Sequence, residues 1–262
     1  MNLEFIERLL AFRRVLLQLL FLLGVLTACG QHNTDRINII LPSIQDEATS
    51  IWRTINDYSF LESQGYNIRL PENEQIDSLI LLSKNGHFGN DQFPVIYGLL
   101  ENGVYNENEY ASAMKKAQAQ EELINSIVDV LFEESENWAW GFKTFPEYKV
   151  TFTLYGTGGS YDPDNGIVTL WTNVKGDFMQ YDKPANTAIH EIVHMGIEEW
   201  IVQKYGLDHG TKERLVDIFV FLLFEKSLPE YRIQNMGNAE MDKHLKTKVD
   251  LHRLDEIAAK LK

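Results

Sequence analysis

The chain has 262 residues, enough for one large domain or two small ones, and its 38 Asp+Glu against 24 Lys+Arg give a formal net charge of −14 at pH 7. Such acidity argues against a nucleic-acid partner, and 44% hydrophobic with 24% charged residues excludes a disordered, collagen-like or wholly membrane-embedded chain. The single cysteine, Cys29, excludes an intramolecular disulfide and any metal site built on two thiolates.

At the N-terminus, Arg8, Arg13 and Arg14 precede a mostly apolar run of 12 residues, Val15–Leu26, and then Thr27-Ala28-Cys29-Gly30. The run is well short of the roughly 20 residues a spanning helix needs, so residues 1–28 read as an export signal. Leu26-Thr27-Ala28-Cys29 resembles the lipobox of bacterial lipoproteins. The resemblance implies cleavage before Cys29, lipid on that cysteine and a tether over residues 29–36. Gly30 in place of Asp implies the outer membrane, with the protein facing the periplasm. Loss of residues 1–28 removes three Arg and two Glu and leaves a net charge of −15. Membrane contact is therefore expected from the lipid anchor rather than from a basic patch.

No internal repeat or Pro/Gly-rich linker divides the remainder, but the texture changes at residue 148. Residues 37–147 alternate apolar runs with helical patterns, the clearest from Glu109 to Glu134, where Ile124, Ile127, Val128 and Leu131 recur near a 3.6 period. This stretch is expected to form an N-terminal α/β region with no assigned role; His87, Trp138, Trp140 and Phe142 read as packing or surface residues. Residues 148–262 are expected to form a catalytic region. It opens with strands at Tyr148–Tyr155 and Ile167–Thr172, expected to pair as a hairpin. Asp162-Pro163-Asp164-Asn165-Gly166 reads as a turn, because the terminal Glu of a calcium loop is missing.

The most informative segment follows, Ala185-Asn186-Thr187-Ala188-Ile189-His190-Glu191-Ile192-Val193-His194. Ile189, Ile192, Val193, Gly196, Trp200 and Ile201 recur with helical spacing, and Gly206 stands where a C-terminal cap belongs. His190 and His194 are one helical turn apart, so both imidazoles reach one side and can meet a single Zn²⁺. Glu191 is placed to reach water beside the metal rather than the metal itself. After 18 residues beyond His194, a nearly all-apolar helix opens with Glu213 and Asp217. A carboxylate carried into a core needs a partner: Glu213 can supply the third ligand, and Asp217 can accept the Nδ1 proton of a ligating histidine.

His190-Glu191-Ile192-Val193-His194 with Glu213-x-x-x-Asp217 resembles the gluzincin, or thermolysin-like, branch of zinc metallopeptidases. The resemblance covers residues 190–217. It departs from the usual pattern in chain size and in Lys212, which stands where Asn ordinarily precedes the ligand Glu. It does not extend to the metzincins, whose pattern has Gly and His where Ile197 and Trp200 stand here. It implies an α+β, zincin-like fold: a mixed sheet with an edge hairpin, the active-site helix, the ligand helix and a C-terminal helix near Met241–Leu261.

The implied activity is hydrolysis of peptide bonds in the cell envelope, with Zn²⁺ as cofactor, a peptide or protein as substrate and Glu191 as the proton acceptor. Tyr231, Arg232, His244 and His209 are candidates for stabilising the oxyanion, and His209 is also an alternative third ligand. Glu198 is excluded as a ligand because it lies about 12 Å along the helix from His190. Val168 and Leu170 mark a strand expected to pair with extended substrate. The competing reading is a non-catalytic envelope lipoprotein that binds a partner and keeps a structural or vestigial metal site.

Overall fold

The computed structural model describes residues 35–179, 182–234 and 237–261. The export signal, Cys29 and most of the tether lie outside the described residues.

Strand β1 (Ile37–Ile39) buries its two isoleucines and exposes Asn38, the alternation of a strand with one covered face. Its start is pinned by Asn125, whose Oδ1 accepts from the backbone N–H of Arg36 and Ile37 at 2.8 and 3.1 Å. Helix α1 (Ile44–Asn56) begins at a capping box in which Ser43 and Asp46 satisfy each other's backbone N–H. Helix α2 (Tyr58–Ser63) follows, then α3 (Glu74–Lys84) and α4 (Phe93–Leu99). Ala48, Ile51 and Ile55 of α1 pack with Ile76, Leu79, Ile96 and Leu100 into a cluster of their own. Each large side chain buried there contributes roughly 1.5–3 kcal/mol relative to exposure, which stabilises helices too short to persist alone.

The helix expected across Glu109–Glu134 is divided into α5 (Ala111–Gln118) and α6 (Glu121–Ser135). Gln120 leaves helical geometry at the break, and its side-chain oxygen accepts from the Ala185 N–H at 3.0 Å. Trp138 and Trp140 stack with centroids 5.4 Å apart, and Trp138 also meets Phe142 and Phe219 edge-on. These aromatics are core, and His87 is exposed.

The sheet has four strands in the order β1-β2-β4-β3, where β2 is Tyr148–Thr153, β3 Ser160–Asp162 and β4 Ile167–Trp171. The hairpin expected between β2 and β4 does not form. These two strands are parallel, with Lys149 opposite Ile167 and Thr153 opposite Trp171. A parallel neighbour requires the chain to return before it pairs. Strand β3 makes that return and stays bonded to the outer side of β4, antiparallel, with Tyr161 opposite Val168. The hairpin at the sheet edge is therefore β3–β4, closed by the Asp162–Gly166 turn, where Asp162 Oδ1 accepts from the N–H of Asp164 and Asn165. This pairing also overturns the expectation that Val168 and Leu170 receive substrate. They lie on an inner strand with fully buried side chains, and the free edge beside the helices is β3.

Helix α7 (Pro184–Ile197) starts with proline at its first position and lies against the sheet, buried along nearly its whole length. Gly196 lets it close on Phe142, whose ring occupies the space a Cβ would need. A wide turn over Glu198–Gln203 carries the chain to Gly206, at φ 63°, where Leu207 N–H bonds back to the Val202 carbonyl at 3.1 Å. Helix α8 (His209–Phe224) is capped by Asp208, which accepts from Thr211 N–H at 2.8 Å, and buries Leu215, Val216, Phe219 and Val220. The single C-terminal helix expected over Met241–Leu261 is two 3₁₀ turns, Ala239–Lys243 and Lys248–Arg253, and a short α9 (Leu254–Leu261). Thr247 and Asp250 form a capping box that restarts the chain there. The whole is α+β, with nine α-helices and a mixed four-stranded sheet among the described residues.

Candidate metal centre and cleft

His190 and His194 project from the same side of α7, and α8 crosses it so that Glu213, in its second turn, meets both rings. His190 Nε2 and His194 Nε2 are 3.0 Å apart, and each is 3.3 Å from Glu213 Oε2. All three side chains are largely buried, and together they could hold a metal ion.

The other nitrogen of His190 is committed. Its Nδ1 lies 2.7 Å from the Tyr231 hydroxyl, which donates at 2.7 Å to Asp217 Oδ1. Because that hydroxyl proton goes to Asp217, His190 Nδ1–H donates to the tyrosine oxygen, and Nε2 is the nitrogen turned toward His194 and Glu213. Asp217 is fully buried, and its second oxygen accepts from Gln234 N–H at 2.7 Å. Asp217 thus reaches His190 principally through a tyrosine, with its Oδ1 3.3 Å from Nδ1. Tyr231, expected as a candidate facing an oxyanion, is buried with its hydroxyl between His190 Nδ1 and Asp217 and is not among the residues that line the cleft. His244 is not among the residues that line the cleft. The Nδ1 of His194 is buried without a hydrogen-bond partner among the described residues.

The buried charges are coupled. Burial works against an imidazolium at His190, but the carboxylates of Asp217 and Glu213 outweigh it and hold its pKa up to about 10. His194 is pushed down to about 4, by burial first and then by the neighbouring charge of His190. Burial alone would raise Glu213, yet hydrogen bonds from both rings hold it well below the usual carboxylate range.

Glu191 is buried beside this group, and burial pushes its carboxyl up to about 7 against the opposing charges of His190, Lys212 and Arg53. Its carboxylate lies against the backbone of Gly159, where any Cβ would collide with it and with Thr187. A cavity of about 480 Å³ opens over the group. Gly159, Ser160 and Tyr161 form one wall, α7 and α8 the floor, and Arg53, Phe60, Leu61 and Tyr66 from the N-terminal helical layer the facing wall. A smaller space of about 120 Å³ continues along Gly156–Ser160.

His209 lines the cavity but is not a member of the ligand group. Its Nε2 is 2.7 Å from the Tyr66 hydroxyl and its Nδ1 3.7 Å from Glu213 Oε1. Of the four residues considered for the oxyanion, it alone lines the cleft. Glu198 is engaged elsewhere, accepting from the Tyr161 hydroxyl at 2.7 Å, while the Tyr161 ring stacks on His194 at 5.1 Å. Tyr66, Tyr161, Arg53 and Gly159 also line the cavity and carry no motif by which the sequence marks them. Comparison with protein-family models, with curated proteins and with solved structures finds no match.

Proposed function

We propose that the protein is a zinc-dependent peptidase and that His190, His194 and Glu213 hold the metal. What carries the reading is the three-donor group with a buried carboxyl, Glu191, beside it at the floor of an open cleft. The donors fit zinc: bonds of about 2.0–2.1 Å in a tetrahedron separate ligand atoms by about 3.3–3.4 Å, and these atoms are 3.0–3.3 Å apart. Two nitrogens and one carboxylate leave a tetrahedral ion one open position, the mark of a catalytic rather than a structural site.

Zinc bound here would supply a Lewis acid that polarises a peptide carbonyl and acidifies water. The chain's own residues do the rest. Asp217 and Tyr231 keep the His190 Nδ1 protonated and its Nε2 turned to the ion. A Glu191 carboxylate oxygen takes the proton of the attacking water and returns it to the leaving amine. Tyr66 and His209, hydrogen-bonded to each other at the cavity lining, supply donors for the oxygen that gains charge. Strand β3 offers an edge along which an extended peptide can lie. We place this activity in the bacterial cell envelope, with lipid on Cys29.

The test is Glu191→Gln. It keeps size and hydrogen bonding but cannot accept the proton, so zinc content should stay near one per chain while peptide hydrolysis falls by roughly two or more orders of magnitude. Equal behaviour of wild type and variant on a broad peptide library would favour a binding role and end the peptidase reading.

A further inference from the structure

Cations are the minority charge in this chain, and several are paired: Arg36 with Asp129, Lys84 with Glu62, Lys183 with Glu230 and Arg214 with Asp242. Two that make no ion pair among the described residues both line the cleft. Arg53 reaches in from α1 and donates from its guanidinium to the Tyr161 carbonyl at 3.5 Å. Lys212 reaches in from α8, donates to the Tyr161 hydroxyl at 3.3 Å and lies 5.6 Å from that ring's centre. One cation therefore approaches the edge strand by its backbone and the other by its side chain.

The acids on the same cavity form no direct ion pair with either cation among the described residues, although Glu191 lies within range of both charges. Glu213 is engaged by the two histidines, and Glu198 by Tyr161 and Gln203. Glu191 is buried, and Asp57 stands exposed on the helical wall without an ion-pair partner among the described residues.

From this juxtaposition we infer that the cleft selects peptides bearing a carboxylate next to the bond that is cut, held between Arg53 and Lys212. The inference rests on the peptidase reading for the cut, but not for the binding. A guanidinium and an ammonium that both reach Tyr161 of the edge strand inside one cavity match a carboxylate of a peptide lying along that strand. The acidity of the whole protein does not oppose this at contact range, because charges farther away than about 8 Å are largely screened at physiological ionic strength, whereas contact inside a walled cleft is not. The carboxylate can come from an Asp or Glu side chain or from the peptide's C-terminus; both present the same group.

The full-length protein carrying Glu191→Gln should be titrated, by fluorescence anisotropy, with three matched peptides that wild type is given in parallel for cleavage. One has an internal Glu and an amidated C-terminus, one an internal Gln and a free C-terminal acid, and one an internal Gln and an amide. A carboxylate peptide should bind about tenfold more tightly than the neutral one, as expected for one charge-assisted contact. The arm that shows the gain identifies the source. Adding Arg53→Gln or Lys212→Gln should bring the ratio within about twofold, while Arg53→Lys should keep most of it and guards against a loss caused by misfolding. Equal binding of all three peptides, or a preference that survives both neutral substitutions in one chain, overturns the inference. Preferential binding without any cleavage by wild type would instead overturn the peptidase reading and leave the carboxylate site standing.

Discussion

Tyr231 is the residue whose position says most about how the centre is held. A carboxylate bonded directly to a ligating imidazole fixes its tautomer; here a phenol is interposed, with 2.7 Å on either side. Removing the hydroxyl leaves Asp217 Oδ1 3.3 Å from Nδ1, too far for a good bond without movement. Tyr231→Phe should therefore weaken zinc binding by about 10- to 100-fold, as loss of an outer hydrogen bond to a metal ligand commonly does. Asp217→Asn should do at least as much, and Glu213→Ala should abolish tight binding. Competition with a chromophoric chelator measures all three; unchanged affinity in Tyr231→Phe would show that the phenol is only a packing residue. His190 and His194 could be read from spacing, because residues four apart on a helix share a face whatever the rest of the fold does. Tyr66 and Arg53 could not be read, since they enter the cleft from helices and loops more than a hundred residues earlier. Gly159 could not either, because a glycine needed for close approach looks in a sequence like a glycine needed for a turn.

Period-2 patterning identifies a strand and its buried face but carries no information about direction or neighbour. That is why β2 and β4 are legible as strands while their parallel pairing is not, and why the three-residue β3 is too short to show an alternation. The joint between α1 and the sheet is equally hidden, since it depends on one carboxyl. Glu47 is fully buried on α1; its Oε1 accepts from the Tyr110 hydroxyl at 2.5 Å and Leu154 N–H at 2.9 Å, and its Oε2 from the Thr153 hydroxyl at 2.5 Å. No cation is among these partners, and burial raises the Glu47 pKa in spite of the three donors. An acid whose pKa is higher folded than unfolded binds more protons in the native state. Its stabilisation is full below the unfolded value near 4.5 and is lost as pH rises through the folded one. Urea unfolding of wild type and Glu47→Gln across pH 4 to 9 should show the difference in stability moving in favour of Gln as pH rises, with the other titrating groups cancelling. A gap that does not change with pH would mean that Glu47 does not titrate between folded and unfolded states.

At the scale of the molecule, residues 35–262 pack as one unit, so the change of texture at residue 148 marks no break: β1 pairs with β2 across it, and α1 and α2 wall the cleft. No helix among the described residues is long and apolar enough to cross a membrane, and the attachment we propose rests on Cys29. Its motivation is position: the only cysteine in the chain directly follows Leu26-Thr27-Ala28, at the end of a 12-residue run too short to span a bilayer. Several acyl chains hold a protein stably where one does not, and with a net charge of −15 after cleavage, anionic lipid surfaces would repel the body of the protein. Wild type should therefore fractionate with the envelope, label with fatty acid and resist extraction by high salt, which removes proteins bound only by charge. Cys29→Ser should accumulate as an uncut, unlabelled precursor. Wild-type protein recovered soluble with a free thiol at Cys29 would remove the anchor from this account, and the His190–His194–Glu213 centre would then have to be considered as that of an exported protein acting away from the membrane.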